Sequence, residues 1–459
     1  MTACTTISWV VFVVDTQRHI SYTFLCKRGL LKHEKDGHIS MKLMRYPLIL
    51  FVVGTFLCGC ALARLEREIT ELSALAYLHG KVLTESQEDR PIVIVLYSKT
   101  SNREEIIDFK KLCSCGAYLF VVPEGEYYIF AFQDSDNNFR YDQHELAGHY
   151  GSPDKITAFS NQTIRNLDII ISDSTTTKPT FMADFKISKL KVAKCAPGRG
   201  TVVHLDDRRF SSAYGSKGLW QPATFIKEIG GGIYFLEEYD RHKVPILFIH
   251  GSGGTPRDWS YFINNVDRRR YQPWLFFYPS AVRLERSGTW LNQMIEELHA
   301  RHEFEKLYVT AHSMGGLIAR SSIIGNPVKP ERQPIRLFVS IATPWDGHQG
   351  AGFGARHAPL VIPSWKDLAP RSDFLRSIFQ QSLPRAVKYY LFFGYKGIGI
   401  PFTRHSDGSV TIKSALHSQA QREAIKIYGF DEDHAGMLMS KKVLQQFNEI
   451  LTELDSPHG

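Results

Sequence analysis

The stretch LYVTAHSMGGLIAR, residues 307–320, decides the reading of this chain. An apolar β-type run, LYVT, meets a helix-like run, GGLIAR, with Ser313 at the junction. A nucleophilic serine between strand and helix is usually written G-x-S-x-G, because the turn is strained and its neighbours must be small. Here the first glycine is Ala311. It adds one methyl group but stays small, and Gly315 and Gly316 leave room on the other side. The start of the following helix adds a dipole that favours developing negative charge.

Other residues support Ser313 in the expected chain order. Upstream, ILFIHGSGG runs a strand into His250, Gly251 and Ser252. Glycines there let a backbone N–H approach a substrate carbonyl. The expected oxyanion donors are the N–H groups of Ser252 and of Met314, the residue after the serine. A serine needs a base to take its proton and an acid to hold that base's tautomer. In open α/β folds these follow in the order Ser, Asp or Glu, His. Asp407 lies in HSDGSVTIKSA, beyond the strand-like YYLFFGY, and His434 lies in YGFDEDHAGML, beyond AIKIY. His405 and His417 are rival bases, and Asp431 and Asp433 rival acids. His434 is preferred because it follows the last strand and opens an apolar, helix-like run.

From residue 230 to 459 strand-like runs alternate with amphipathic helices. VPILFIH, PWLFFYP, KLYVTAH, IRLFVSIATP, YYLFFGY and AIKIYGF read as strands, with WLNQMIEELHARH and the closing KKVLQQFNEILTEL as helices. That texture predicts a mostly parallel sheet with helices on both faces. Residues 346–386 are too long for a simple connection. They are expected to form either a packed helical insertion or a lid, with APLVIPSW and FLRSIF apolar enough to meet a lipid chain.

HGSGGTPRDWSYF, AHSMGGLIAR, IATPWDG, SDGSV and DHAGML together resemble the α/β-hydrolases of the lipase and esterase group, including bacterial triacylglycerol lipases and inositol deacylases. The resemblance covers about residues 230–455, half the chain. It implies an α/β-hydrolase fold, an acyl-enzyme on Ser313, His434 as general base, Asp407 as orienting acid, and no cofactor or metal in the chemistry. It also implies lipid or small ester substrates, and for residues 346–386 a lid of the kind that lipases and esterases carry at this position. An acyltransferase or thioesterase could use the same residues, and a binding protein with an inactive hydrolase domain is the alternative of another class.

The first half has a different texture. Residues 64–88 are rich in Glu and Leu and predict a helical segment. Over residues 90–175, PIVIVLYS, AYLFVV, YYIFAFQD and LDIIIS are short β-type runs between turn residues, predicting a small all-β sandwich-like accessory domain. EGEYYIFAFQDSDNN resembles prealbumin-like or carboxypeptidase-regulatory-like sandwiches. Residues 176–229 read as linker and lead-in. Within DSDNNFRYDQHE, Asp134, Asp136, Asn138, Asp142 and Glu145 have the oxygen-ligand spacing of a calcium loop. Phe139 stands where that loop wants glycine, and the flank is a strand, so a polar hairpin turn is the competing reading.

The chain has 459 residues, of which 43% are hydrophobic and 22% charged, enough apolar material for a sizeable core. Of the net charge of +8, about half arises before residue 46, and no basic run is interleaved with aromatics, so nucleic acid is not an expected partner. The segment MKLMRYPLILFVVGTFLCGC, residues 41–60, places Lys42 and Arg45 before an apolar core and then small residues. That is the layout of a secretory signal. LCGC resembles a bacterial lipobox, which implies lipidation of Cys60. The lipobox distance fits Met41 and not Met1, so residues 1–40 read as a misassigned upstream extension. A plain apolar anchor is the alternative. Either reading predicts an extracytoplasmic, membrane-tethered body, in periplasm or outer membrane, where a disulfide between two of Cys113, Cys115 and Cys195 is allowed.

Overall fold

A computed structural model describes residues 61–84, 90–100, 103–112, 115–136, 138, 140–142, 144–150, 155–172, 199–325, 334–397 and 405–454. Residues 41–60, expected as a signal with a lipidated Cys60, residues 1–40, expected as an upstream extension, and Phe139, Cys113 and Cys195 lie outside these residues. Residues 58–459 form one compact unit.

The chain enters through helix α1, residues 61–73. The expected helical segment stops there. From Ala76 the backbone is extended as strand β1 (Ala76–Thr84). The reason is long-range pairing: β1 runs antiparallel to β4 (Gly116–Val122). Ala76, Leu78 and Val82 enter the core, and Gly80 allows the backbone of Leu167 to approach. A methyl group on Gly80 would sit 2.0 Å from the Leu167 carbonyl oxygen.

The β-rich region continues through β2 (Ile92–Thr100), β3 (Arg103–Leu112), β5 (Gly125–Gln133) and β6 (Ala147–Tyr150). Short strands β7 (Ile156–Ala158), β8 (Thr163–Ile164) and β9 (Ile169–Ile171) complete it. One sheet has the order β4-β1-β8, with β9 also on β1. The other has the order β3-β2-β5-β6, with β7 on β5. Leu78 and Phe120 of the first sheet share one apolar cluster with Ile94 and Ile129 of the second.

The second half is built on an eight-stranded sheet, ordered β10-β11-β13-β12-β14-β15-β16-β17. Its strands are β10 (Arg199–Val202), β11 (Gly232–Phe235), β12 (Val244–Ile249), β13 (Tyr271–Phe277), β14 (Leu307–His312), β15 (Ile335–Ile341), β16 (Lys388–Gly394) and β17 (Lys426–Phe430). All neighbours are parallel except β11 and β13. The sheet therefore starts at residue 199, inside the expected linker, because RGTV is an edge strand with no alternation to announce it.

Helices α2 (Ser212–Trp220), α3 (Pro222–Glu228) and α4 (Ser260–Asn265) precede α5 (Leu284–His302) and α6 (Met314–Ile324). The long insertion holds α7 (Gln349–His357), α8 (Pro363–Leu368) and α9 (Asp373–Ser377). Short α10 (Ile412–Ala415) and α11 (Ser418–Glu423) follow, and α12 (Lys441–Leu454) closes the chain. Alternation along β12 shows why both faces are covered. Leu247 and Ile249 pack with Leu291 of α5 and Leu317 of α6, whereas Ile246 and Phe248 pack with Phe262 of α4 and Phe447 of α12. Residues one apart on a strand point to opposite faces, so apolar runs need two covering layers.

The β-rich region rests on α5. Arg286 Nη2 donates to the Asn161 carbonyl (2.7 Å) and side-chain oxygen (2.8 Å), and its guanidinium lies 4.5 Å from the Tyr77 ring centroid. Lys81 pairs with Glu296 at 3.6 Å. Helix α1 meets α3 through Glu68, whose carboxylate accepts the Thr224 N–H at 2.9 Å. No helix among the described residues is long and apolar enough to cross a membrane.

Candidate functional site

Ser313 stands between β14 and α6, with φ 53° and ψ −128°. A non-glycine residue there is strained by about 1–3 kcal/mol and needs its surroundings to hold it. Those surroundings are visible. The Ser313 N–H donates to the Ile341 carbonyl at 2.8 Å, tying the turn to β15. A methyl on Gly315 would lie 2.5 Å from the His250 carbonyl oxygen, and one on Gly316 2.0 Å from Thr343 Oγ1. Ala311 is fully buried, paired with Ile249 on one side and Ser340 on the other. Its methyl therefore points into a place that accepts it.

The loop after β12 lies against this turn. A methyl on Gly251 would sit 3.0 Å from Ser313 Cβ, which brings the backbone of Gly251 and the exposed Ser252 beside the serine. His250 is buried and faces inward. Its ring stacks on Tyr278 at 4.3 Å, and its Nδ1 donates to the Gly251 carbonyl at 2.7 Å. The Tyr278 hydroxyl donates to the His250 carbonyl at 2.8 Å. Burial lowers the imidazole to about 4, so His250 is neutral and shapes the loop. Met314, the first residue of α6, is buried.

Asp407 and His434 meet although 27 residues separate them. His434 Nδ1 lies 2.7 Å from Asp407 Oδ2. A carboxylate only accepts, so Nδ1 carries the proton and Nε2 is left as an acceptor. The other oxygen, Asp407 Oδ1, accepts the N–H groups of Ser409 (2.9 Å) and Val410 (2.6 Å). The His434 N–H donates to the Asp407 carbonyl at 2.8 Å. Asp407 is nearly fully buried, while a fifth of the His434 side chain is exposed. Burial alone would raise the Asp407 carboxyl. The hydrogen bond and charge of His434, with the two backbone N–H groups, outweigh it and hold the group below the usual carboxylate value.

Two of the rivals have other partners. His417 stacks on Phe379 at 4.4 Å. Asp433 Oδ1 accepts the Gly436 N–H at 2.7 Å and shapes the turn after His434.

Two histidines join the site without having been picked out from the sequence. His312, just before the serine, places its ring centroid 4.6 Å from that of His434. His348, at the start of the insertion, accepts the Ala351 N–H at Nδ1 (3.1 Å) and therefore donates from Nε2 to Ser409 Oγ at 3.2 Å. Pairing across the fold is invisible in a linear string. For His312, adjacency to Ser313 was the one available signal.

In the β-rich region Asp134, Asp136 and Glu145 come together, with ligand atoms within 4.8 Å of one another. Asp142 is not in that group. Asn138 Nδ2 donates to Asp136 Oδ2 (2.5 Å) and Asp142 Oδ2 (3.3 Å). Both Glu145 oxygens accept backbone N–H groups, from Ser135 at 2.7 Å and Asp142 at 3.0 Å.

No family model matches the sequence, and no curated protein matches it. Solved structures that match part of the chain include the mature form of a Bacillus licheniformis lipase, at 20% identity over 48% of this chain and 94% of that one, with a TM-score of 0.37. Aspergillus fumigatus lipase B matches at 14% identity over 48% of this chain and 56% of its own, TM-score 0.37. Phospholipase PlaB from Legionella pneumophila matches at 14% identity over 38% and 45%, TM-score 0.32.

Proposed function

We propose that this protein is a serine hydrolase of carboxylic esters, of the α/β-hydrolase type, acting on lipid or other acyl esters. The observation that carries the reading is the Asp407–His434 pair, 2.7 Å apart, whose imidazole lies 4.6 Å from the ring of His312, the residue before a serine held in a strained strand-to-helix turn. His434 Nε2 takes the Ser313 proton as Oγ attacks the ester carbonyl. The oxyanion that forms is received by the N–H groups of Ser252 and Met314. Imidazolium His434 then gives its proton to the leaving alcohol, which leaves an acyl group on Ser313. Water attacks that acyl-enzyme, with His434 again as base, and releases the carboxylic acid and free serine. Asp407 keeps Nδ1 protonated and favours the imidazolium in each step.

Ester substrates of lipid type are supported by the exposed Phe353 of α7 in the insertion 346–386, 63% accessible, although Phe374, Leu375 and Ile378 of FLRSIF are buried in the core. The charge-then-apolar pattern of residues 41–60, ending at Cys60, supports an extracytoplasmic, membrane-tethered location for the enzyme.

The test is fluorophosphonate labelling of the full chain together with p-nitrophenyl ester hydrolysis. Labelling and turnover are both expected and both lost in Ser313→Ala, with kcat down by about 10⁶. A folded wild-type protein that neither labels nor hydrolyses any ester of the series overturns the reading in favour of a binding protein. Labelling without hydrolysis, with acyl transfer to an added alcohol, converts it to an acyltransferase.

A further inference from the structure

We propose that His312 is a positioning residue for the general base: its Nε2–H holds the main chain of His434 against the strand that carries Ser313. This rests on the triad reading above. His312 Nε2 lies 3.0 Å from the His434 carbonyl oxygen, across 122 residues of sequence. A carbonyl only accepts, so Nε2 must carry the proton and the His312 tautomer is fixed. The ring is 8% exposed and sits against His434 with centroids 4.6 Å apart at 47°. Burial, and next the neighbouring His434, lower His312 to about 3, which keeps it neutral with this one N–H.

The geometry explains what such a bond adds. Two contacts bind His434 to the Asp407 loop: its N–H to the Asp407 carbonyl, and its ring to the Asp407 carboxylate. Neither sets the distance from that loop to Ser313. The His312 bond does, because His312 is the last residue of β14 and Ser313 the next. Nucleophile and base are thus referenced to one strand end. The price of a small misplacement is high, since a shift of about 1 Å can cost roughly 100-fold in rate.

The experiment compares His312→Gln and His312→Asn in the full chain. The Gln amide reaches about as far as Nε2, while the Asn amide stops near Nδ1. Ser313→Ala serves as the control that tests the triad itself. Active sites are counted by fluorophosphonate titration, so misfolded protein does not enter kcat. With p-nitrophenyl butyrate, Asn at 312 is expected to lower kcat per titrated site roughly 10- to 100-fold at unchanged KM, and Gln to recover most of it. Equal kcat in the two variants, or a change confined to KM, overturns the proposal while leaving Ser313 untouched. If the Asn variant yields no titratable sites, His312→Phe, which fills the ring's place without a donor, is compared with Gln by the same criterion. Turnover surviving in Ser313→Ala would sink the triad reading first, and this one with it.

Discussion

Two loops in this molecule hold buried carboxylates, and in only one of them does a carboxylate oxygen meet an imidazole. In the loop at Asp134, acidic oxygens are used to build the loop itself: Asp134 Oδ1 accepts the Asn138 N–H at 2.9 Å, and Glu145 accepts two backbone N–H groups. In the loop at Asp407, one oxygen does that work and the other faces an imidazole carried by a different loop. That imidazole is partly exposed and lies against His312, the residue before a strained serine. Acidic residues at suggestive spacing are therefore a poor guide to chemistry. An oxygen left over after the backbone is satisfied, with a titratable partner brought from elsewhere in the fold, is a better one.

The sharpest way to break that comparison is Asp407→Asn. The Asn carbonyl oxygen can still take the Ser409 and Val410 N–H groups, but the amide donates toward His434 Nδ1 and imposes the wrong tautomer. The expected loss is about 10⁴ in kcat. The folding loss should be far smaller, because the loop keeps its backbone partners. A kcat within tenfold of wild type would place the acid elsewhere, at Asp431 or Asp433.

Arg320 gives the opposite dissociation. This fully buried guanidinium on α6 pairs with Glu423 at 2.6 Å and donates to the carbonyls of Ile378 (2.7 Å) and Gln381 (3.0 Å). It pins the end of the insertion against α6, the helix that follows Ser313. Arg320→Met leaves Glu423 without its cation, and breaking a buried pair costs about 3–5 kcal/mol. A large drop in Tm is expected, with kcat per titrated site close to wild type. Unchanged Tm would show that the pair carries no structural weight.

What was legible in the chain follows the same division. The Ser313 turn could be read because strand, small residues and helix are contiguous, and Asp407 and His434, both expected after late strands, do meet. The runs from VPILFIH to YYLFFGY were legible because strands buried on both faces are apolar throughout, whereas AIKIYGF forms the largely exposed edge strand β17. Strand β1 was not, since AYLHGKVLT takes its shape from partners in β4 and β9, at residues 116–122 and 169–171. The four-residue β10 was too short for any pattern. The links from His312 to His434 and from His348 to Ser409 depend on folded distances that no spacing encodes.

The smallest expected effect concerns pH and separates the two loops by sign. Glu145 is pushed above its usual value, first by burial and then by the nearby charges of Asp134 and Asp136, which its backbone hydrogen bonds only partly offset. A raised carboxyl favours the folded state when protonated. Its contribution is full below the unfolded value of about 4.3 and is lost as pH rises through the folded value. Asp407, held low, behaves oppositely: its contribution is present above about 3.9 and lost as pH falls through its lowered folded value. Mild acidification from neutral pH toward about 4.5 should therefore protonate Glu145 while Asp407 stays ionised. Wild type should gain Tm relative to Glu145→Gln over that window, because glutamine has no proton to take up. Thermal melts of the two proteins at matched pH values read this difference directly. Parallel curves would mean that Glu145 titrates as an ordinary carboxyl, and that the acidic loop is no more strained than the one at Asp407.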